Sequence, residues 1–422
     1  MQLIKEKWYY FILGLLLLII ILSEARINGD FDIFMSASSD LLKGKNIYAE
    51  TYKEWYHYYY SVFFSLILSP FTFLPLYFVK VLWLIANVFF VYRIWKIITS
   101  LLPLDLLSKK VRTIFVVLAL LFVIKFLRDN FHVAQVTILI LFLSLEGLRF
   151  IWNDKPFLGA LLIALGIDIK LLPLVFLPYL MYRREWKALF FCVVILVILA
   201  LTPALIVGFE YNQFLLAERW KLLNPSNTAH VLDTSERSFH SLTTVLATLL
   251  VENTGDHLAL PIKRNIADIS LDQLARIILI FRLFFVGFTL YFLRSFPFQK
   301  MYNPVQRLYE VSYICLIIPL IFPHQQHYAF FFVFPASTYV LHYLILNYYC
   351  IDPSSNKQIF LRKKWAFTIS TVIVFLLLNS HFILGTFNTY YDHFKTLTYG
   401  VLFLLILLTF FTPKKLSYIV LN

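Results

Sequence analysis

Charged side chains are scarce in this chain. Of its 422 residues only 14% are Asp, Glu, Lys or Arg, whereas a soluble globular domain carries about a quarter. Hydrophobic residues make up 60% of the sequence, and the mean hydropathy is +0.76. This composition excludes an ordinary soluble domain and predicts an all-α polytopic membrane protein.

Cysteine is scarce as well. The three cysteines, Cys192, Cys315 and Cys350, all lie in or beside apolar runs. None has a second cysteine at CxxC or metal-ligand spacing, which argues against a redox motif and a zinc–cysteine site. We interpret them as packing residues. Solenoid-type repeats and low-complexity tracts are also absent from the sequence.

Apolar runs long enough to cross a bilayer recur along the chain. A hydrocarbon core of roughly 30 Å needs about 20 apolar residues per helix. A shorter apolar piece, residues 61–75, is broken by Pro70 and Pro75. We expect 10 to 12 crossings in a single integral-membrane domain, residues 1–422, with no soluble appendage. The runs lie at approximately 8–23, 76–97, 113–128, 132–150, 188–207, 273–293, 308–323, 327–348, 365–384 and 396–412.

Residues 157–182 are predicted to form two half-length helices. The pieces "FLGALLIALGI" and "LLPLVFLPYLMY" are separated by Asp168 and Lys170, followed by Pro173. Broken helices at membrane depth are tolerated where they line an enclosed or watery cavity. A lysine at such a break is costly unless it is paired. Either a salt bridge to Asp168 or an anionic ligand, such as a lipid phosphate, would offset that cost.

The distribution of charge predicts the orientation in the membrane. With both termini in the cytoplasm, the cytoplasmic side collects 21 of the 37 basic residues and seven of the 24 acidic ones, a net charge of +14 against −1 elsewhere. The basicity therefore requires no nucleic-acid partner. Two larger non-cytoplasmic loops remain, residues 24–60 and 208–272, and long loops are often functional. We expect any chemistry on the extracytoplasmic face.

The first of these loops contains candidate catalytic and binding residues. Asp30 and Asp32 in "GDFDIF" follow the first span closely, and a partly desolvated carboxylate there could accept a proton from a hydroxyl. The alternative is a solvated acid or a helix N-cap. Tyr58 and Tyr59 in "YHYYYS" are typical of an interfacial aromatic belt, or they bind a sugar or lipid phosphate.

Further candidates lie at other outer ends of the predicted spans. Arg128 and Gln135 in "KFLRDNFHVAQVT" and Arg219 in "AERWKLL" could hold an anionic headgroup or anchor the chain at the interface. His324 and His327 in "PHQQHY" have a spacing that suits one helical face. No third ligand at a suitable spacing is evident, so we expect no metal there. Proton transfer, hydrogen bonding to a phosphate or sugar, and a structural cap remain as alternatives.

The motifs, taken in order, resemble glycosyltransferase family 87, a group of integral-membrane GT-C enzymes. The resemblance covers nearly the whole chain and implies a GT-C fold. It also implies transfer of a hexose, with inversion, from a polyprenyl-phosphate donor to an acceptor hydroxyl on a lipid or glycan. The hexose implied by the family is mannose. The motifs are "GDFDIFMSASSDLLKGKNIY", "YHYYYSVFFSLILSPFTFLP", "RDNFHVAQVTILILFL", "GALLIALGIDIKLLPLVFLPYLMYRREWKAL", "SFHSLTTVL" and "PHQQHYAFFFVFP".

The resemblance implies roles for individual residues. The family's general base falls on Asp30, with Asp32 as close competitor, and its outer-end histidine falls on His327, with His324 three residues earlier. The lysine of its K-x-x-P element falls on Lys170 and would face the carrier phosphate.

The chain departs from the family pattern at two positions, which warns against assuming the same acceptor. Ala134 stands where glycine is usual, and Phe34 stands where tyrosine is usual.

The phosphate of a polyprenyl-phosphate donor is already an adequate leaving group, so no metal is strictly required and we expect no cofactor besides the donor substrate. We further expect a plasma-membrane location, contact with the lipid bilayer, and an extracytoplasmic active site. One alternative is a transporter or flippase of polyprenyl-linked sugar, which would use the same basic cavity without a base. Another is a polymerase or ligase of lipid-linked glycans, which would take a larger acceptor.

Overall fold

The protein is helical throughout the part that the structure describes. The computed structural model describes residues 8–52, 56–224, 229–236, 238–256, 259–293, 297–349 and 357–413. No strand occurs among these residues, and an isolated bridge joins Tyr52 to Tyr56. The prediction of an all-α chain is confirmed.

The helices follow the apolar runs of the sequence closely. In chain order they are α1 (Trp8–Glu24), α2 (Asp30–Leu42), α3 (Val62–Leu68), α4 (Leu76–Ser100), α5 (Lys109–His132), α6 (Thr137–Trp152), α7 (Pro156–Ile169), α8 (Phe176–Tyr182), α9 (Trp186–Leu201), α10 (Ala204–Val207), α11 (Phe209–Leu223), α12 (Ala229–Leu232), α13 (Leu242–Leu250), α14 (Leu271–Leu293), α15 (Pro304–Ile321), α16 (Phe334–Tyr349), α17 (Lys357–Asn379), α18 (Asn388–His393) and α19 (Thr396–Phe410). Short 3₁₀ turns include Ser69–Phe73, Leu172–Val175 and His327–Val333.

Six helical segments of the described chain are long and apolar enough to span a membrane. They are Leu76–Ser100, Trp186–Val207, Leu271–Leu293, Pro304–Ile321, His327–Leu346 and Trp365–Phe382. Gly385–His393 and Thr396–Phe410, bent by 70° at a short break, add a seventh if they form one span. The chain is therefore a polytopic membrane protein. The further crossings expected from the sequence fall on shorter or more polar helices and stay predictions.

Two predicted features of the backbone take a more ordered form than expected. The expected first loop, residues 24–60, contains the 13-residue helix α2, whose first turn gains negative charge from Asp30 and Asp32. The expected second loop, residues 208–272, contains α11, α12 and α13. The break within residues 157–182 falls where the sequence predicts it, since α7 ends at Ile169 and the next helical turn begins at Leu172.

The first compact unit comprises Met1–Ile94, Arg128–Leu174 and Lys187–Asn224. Its most closely packed element is the hairpin of α6 and α7. A Cβ on Gly147 would lie 2.8 Å from the carbonyl oxygen of Gly159, and one on Gly159 would lie 2.5 Å from the carbonyl oxygen of Gly147. Only glycine allows this separation, as in other close contacts between membrane helices. The hairpin places Gln135, just before α6, and Lys170, just after α7, at the same end.

The opposite end of that hairpin carries a charge cluster. Glu146 accepts hydrogen bonds from Arg93 and Arg149, each at 2.7 Å. All three residues are predicted to be cytoplasmic. Their contact within one unit agrees with the orientation of the spans predicted from the sequence, in which all three lie on the same side of the membrane.

The second compact unit comprises Trp95–Leu127, Val175–Trp186 and Pro225–Asn422. In its interior, α15 packs against α16, and both helices are largely buried. The buried Arg183 and Glu310 form an ion pair at 2.5 Å, and Glu310 also accepts hydrogen bonds from Tyr179 and Gln306. These donors offset the cost of removing the two charges from water. The prediction of one domain over residues 1–422 stays a prediction.

Candidate active site

Asp30 lies at the first position of α2 and is held by a buried amide. Its Oδ2 accepts a hydrogen bond from Gln135 Nε2 at 2.5 Å. Gln135 Oε1 accepts in turn from the Tyr60 hydroxyl at 2.9 Å and from the Val136 backbone N–H at 2.8 Å. With two donors on its oxygen, the Gln135 amide can face Asp30 only with its NH₂ group. Burial raises the pKa of Tyr60 well above its usual value, so this phenol remains a donor.

Asp32 is engaged in a buried ion pair instead. Its carboxylate lies 2.8 Å from Lys80 Nζ and accepts a hydrogen bond from the Gly29 backbone N–H at 2.5 Å. Lys80 also donates to the Ile27 carbonyl at 2.7 Å. The Lys80 side chain is only 3% exposed. These contacts give Asp32 a structural role and favour Asp30, which is partly exposed, as the residue that meets a substrate.

Lys170 lies on the same side of this unit as Asp30. Its Nζ is 5.8 Å from the centre of the Tyr60 ring, and its charge interacts with that of Asp30. The sequence offered Asp168 as its partner. In the structure, Ser61 donates to Asp168 Oδ2 at 2.5 Å instead, and Arg219 lies 4.0 Å from Asp168 Oδ1.

Arg219 is fixed by the backbone at the break between helices. Its Nη2 donates to the Asp168 carbonyl oxygen at 2.7 Å. The guanidinium is therefore held beside the end of α7, at a carbonyl two residues before Lys170. Two basic side chains, Lys170 and Arg219, and the Asp30 carboxylate thus lie in this unit, and they come from three separate segments of the chain.

The other predicted binding residues of this unit differ in their surroundings. Tyr58 is fully buried and donates its hydroxyl proton to the Ser61 carbonyl at 2.8 Å, which favours packing over substrate binding. Tyr59 is 37% exposed, as an interfacial residue would be. Arg128 is exposed near the end of α5. Their predicted roles in donor binding stay predictions.

His327 belongs to a second cluster, in the second unit. Its Nε2 lies 2.8 Å from His240 Nε2 and 3.1 Å from Asp392 Oδ1. His240 Nε2 lies 3.2 Å from the same oxygen. His381 Nε2 approaches Asp392 Oδ2 at 3.7 Å.

His324 does not share that cluster, although only two residues separate it from His327. Its ring Nδ1 and its backbone N–H both contact Asp233 Oδ1, at 2.7 and 2.9 Å. The sequence predicts one helical face for the two histidines. The chain instead turns at His324, where φ is +57°, and the 3₁₀ turn begins only at His327.

A model of glycosyltransferase family 87 matches residues 58–305, more than half of the chain. The chain belongs to glycosyltransferase family 87. No curated protein and no solved structure matches it.

This family 87 glycosyltransferase carries its candidate residues both inside and outside the matched region. Gln135, Lys170 and Arg219 lie within residues 58–305, whereas Asp30 and His327 lie outside them. The assignment of the family is therefore independent of the two residues for which catalytic roles are predicted. Those roles depend on the geometry and on the resemblance of the motifs.

Sequence reasoning missed two residues of the family 87 glycosyltransferase that the structure brings to these clusters. Lys80, the partner of Asp32, stands in the apolar run of α4, and Asp392 stands between two apolar runs near the end of the chain. An ionisable side chain within an apolar run signals a partner or a functional site. This signal was present for Lys80 but not for Asp392, which lies between two runs, and the partner of Lys80 cannot be identified without the fold.

Proposed function

We propose that this membrane glycosyltransferase is a GT-C-type hexosyltransferase. It moves a hexose, mannose by family resemblance, from a polyprenyl-phosphate donor to a hydroxyl of a lipid or glycan acceptor, with inversion at the anomeric carbon. The observation that carries this proposal is the Asp30 carboxylate, held by the buried Gln135 amide in the unit that also holds Lys170 and Arg219.

Inverting transfer requires a base on the acceptor side of the anomeric carbon. Asp30 takes the proton of the acceptor hydroxyl as the new bond forms between its oxygen and the anomeric carbon. The bond from that carbon to the phosphate oxygen breaks, and polyprenyl phosphate leaves with the electron pair. The hydrogen bond from Gln135 fixes the plane of the carboxylate, which supports the near-attack geometry that such a step needs.

The leaving phosphate requires positive charge on the opposite side. Lys170 and Arg219 supply two cations in the same unit as Asp30, and charge-assisted hydrogen bonds to phosphate are among the strongest available to proteins. Polyprenyl phosphate is an adequate leaving group with this help, so the transfer at Asp30 needs no cofactor. Arg219 is held in place by a backbone carbonyl, and this favours a preformed binding site.

We infer that the reaction takes place on the extracytoplasmic face of the plasma membrane and that both termini are cytoplasmic. The support is the excess of basic residues on the side opposite to Asp30. Residues 1–7 and 414–422, which include the basic ends of the chain, lie outside the described residues.

The direct test is transfer by the purified protein in lipid nanodiscs. Wild type, Asp30→Asn and the control Glu24→Gln are incubated with polyprenyl-phosphate-mannose and a lipid acceptor fraction, and the glycosylated product is measured by mass spectrometry. Glu24 pairs with His132 near the same end of the unit and has no role in the mechanism. We expect Asp30→Asn to lose about 10²–10⁴-fold in kcat while it still binds donor, and the control to retain activity.

Two results would contradict this proposal. Equal transfer by wild type and Asp30→Asn would remove Asp30 from the mechanism. Movement of the donor across the bilayer without transfer, followed in proteoliposomes with a fluorescent donor, would indicate a flippase.

A further inference from the structure

The cluster of His240, His327 and Asp392 brings three potential ligand atoms into mutual contact. The two Nε2 atoms and Asp392 Oδ1 are separated by 2.8, 3.1 and 3.2 Å. His240 is fully buried, and Asp392 is also buried. Each of the three side chains offers one potential metal-ligand atom, and these atoms all lie within 4.8 Å of one another.

With the Asp392 carboxyl ionised, protons alone leave at least one of the three contacts unfavourable. If both Nε2 atoms carry hydrogen, both N–H groups point at the carboxylate and repel each other across 2.8 Å. If one Nε2 carries hydrogen, the bare nitrogen of the other ring faces the carboxylate oxygen. If neither does, three lone-pair acceptors face one another. A cation between the three atoms would make every contact favourable.

We propose that His240, His327 and Asp392 bind a divalent transition-metal ion of the zinc type. The three separations define a triangle with a circumradius of about 1.8 Å. An ion with bonds of ~2.0 Å therefore sits about 1 Å from the plane of the ligand atoms. A tetrahedral site has nearly this shape, and its fourth position stays open.

The backbone of the three ligands is already positioned in the second unit. The His240 backbone N–H donates to the Gln325 carbonyl at 2.9 Å, and its carbonyl accepts from the Thr398 hydroxyl at 2.5 Å. His327 begins a 3₁₀ turn, and Asp392 lies in α18. Because these hydrogen bonds hold the segments together next to the ligand side chains, the site is largely preformed and little ordering is required when the metal ion binds.

The ligand set selects the class of metal. Two imidazoles and one carboxylate suit Zn²⁺, Co²⁺ and Fe²⁺, whereas Mg²⁺ and Ca²⁺ prefer oxygen ligands alone. The charge of Lys125 acts on both His240 and His327. With a dication and a lysine opposed by one carboxylate, the open position favours an anionic oxygen over a neutral ligand.

Metal binding is measured directly on the full-length protein in detergent. Protein stripped with a chelator is titrated with Co²⁺, whose visible absorption reports tetrahedral coordination, and zinc content is measured by mass spectrometry after reloading. We expect about one ion per chain in wild type and at least ~100-fold weaker binding in His240→Ala and Asp392→Asn. His324→Ala, which removes the histidine that pairs with Asp233, should bind the metal ion as wild type does.

Three outcomes would overturn the proposal. The first is a wild-type protein that takes up neither Co²⁺ nor Zn²⁺ at micromolar concentration, and this measurement needs no variant to fold. The second is unchanged binding by monodisperse His240→Ala or Asp392→Asn. The third is an equal loss in His324→Ala. Since the readout is metal content and absorption, the result is independent of sugar transfer at Asp30.

Discussion

Replacing each of the two aspartates of the first loop by asparagine is predicted to have a different effect: Asp32→Asn lowers the stability of the protein, whereas Asp30→Asn lowers its activity. Asp32 forms an ion pair with Lys80 at 2.8 Å, with side chains only 12% and 3% exposed. Asp32→Asn keeps the shape of the side chain but leaves the Lys80 ammonium buried without its countercharge. Removing one partner of a buried pair costs about 3–5 kcal/mol, whereas an exposed pair contributes about 0–1 kcal/mol.

The magnitude follows from what remains around Lys80. Its hydrogen bond to the Ile27 carbonyl persists in the variant, but a neutral carbonyl does not balance a full charge. We therefore expect Asp32→Asn to lower the free energy of unfolding by about 3–5 kcal/mol. Adding Lys80→Met should recover most of the loss, because an apolar side chain of similar size replaces the stranded charge.

The assay is a double-mutant cycle in which the free energy of unfolding of each variant is measured by denaturant titration in mixed micelles. The reference is Asp30→Asn, which should lose activity while its stability changes by about 1 kcal/mol or less. A cost below about 1 kcal/mol for Asp32→Asn, or no recovery with Lys80→Met, would refute the assignment of a structural pair. Loss of activity in a fully stable Asp32→Asn protein would make Asp32 the base.

Three further substitutions address the rest of the first unit. Gln135→Leu should lower kcat by roughly 10–100-fold with the acceptor bound normally, because the Asp30 carboxylate loses its orienting donor; an unchanged kcat would remove this role. Lys170→Met should raise the KM for the polyprenyl-phosphate donor by roughly 10–100-fold, measured by steady-state kinetics at varied donor concentration. An unchanged KM would show that the lysine does not contact the phosphate. Gly29→Ala should cost about 1–3 kcal/mol in unfolding free energy, since its Cβ would lie 2.5 Å from the Val133 backbone; wild-type stability would contradict the close approach.

The helices were predictable from sequence because membrane spans are specified locally. A run of apolar residues must form a helix in lipid, where every backbone polar group needs a partner within the segment. The break at Lys170 was predictable for the same reason, since a charged residue and Pro173 interrupt the apolar run. The helix that begins at Asp30 was harder to predict, because its sequence is mixed in polarity and also suited a loop.

Pairings between distant residues could not be predicted. Asp32 and Lys80 are 48 residues apart, and His327 and Asp392 are 65 apart. Nothing in local periodicity joins them. The spacing of the histidines also suggested one site, but the positive φ of His324 separates its side chain from that of His327.

The glycine contact within the α6–α7 hairpin has a consequence for how this enzyme's activity would be mapped. Gly147 lies ten residues beyond the start of α6, about 15 Å along the helix from the end that carries Gln135. A side chain there would push the two helices apart and shift both Gln135 and Lys170, which lie at the far end. In a random-mutagenesis screen scored by product formation, Gly147 and Gly159 would therefore rank with the residues that contact substrate. A map of the active site drawn from such a screen would extend across half the membrane.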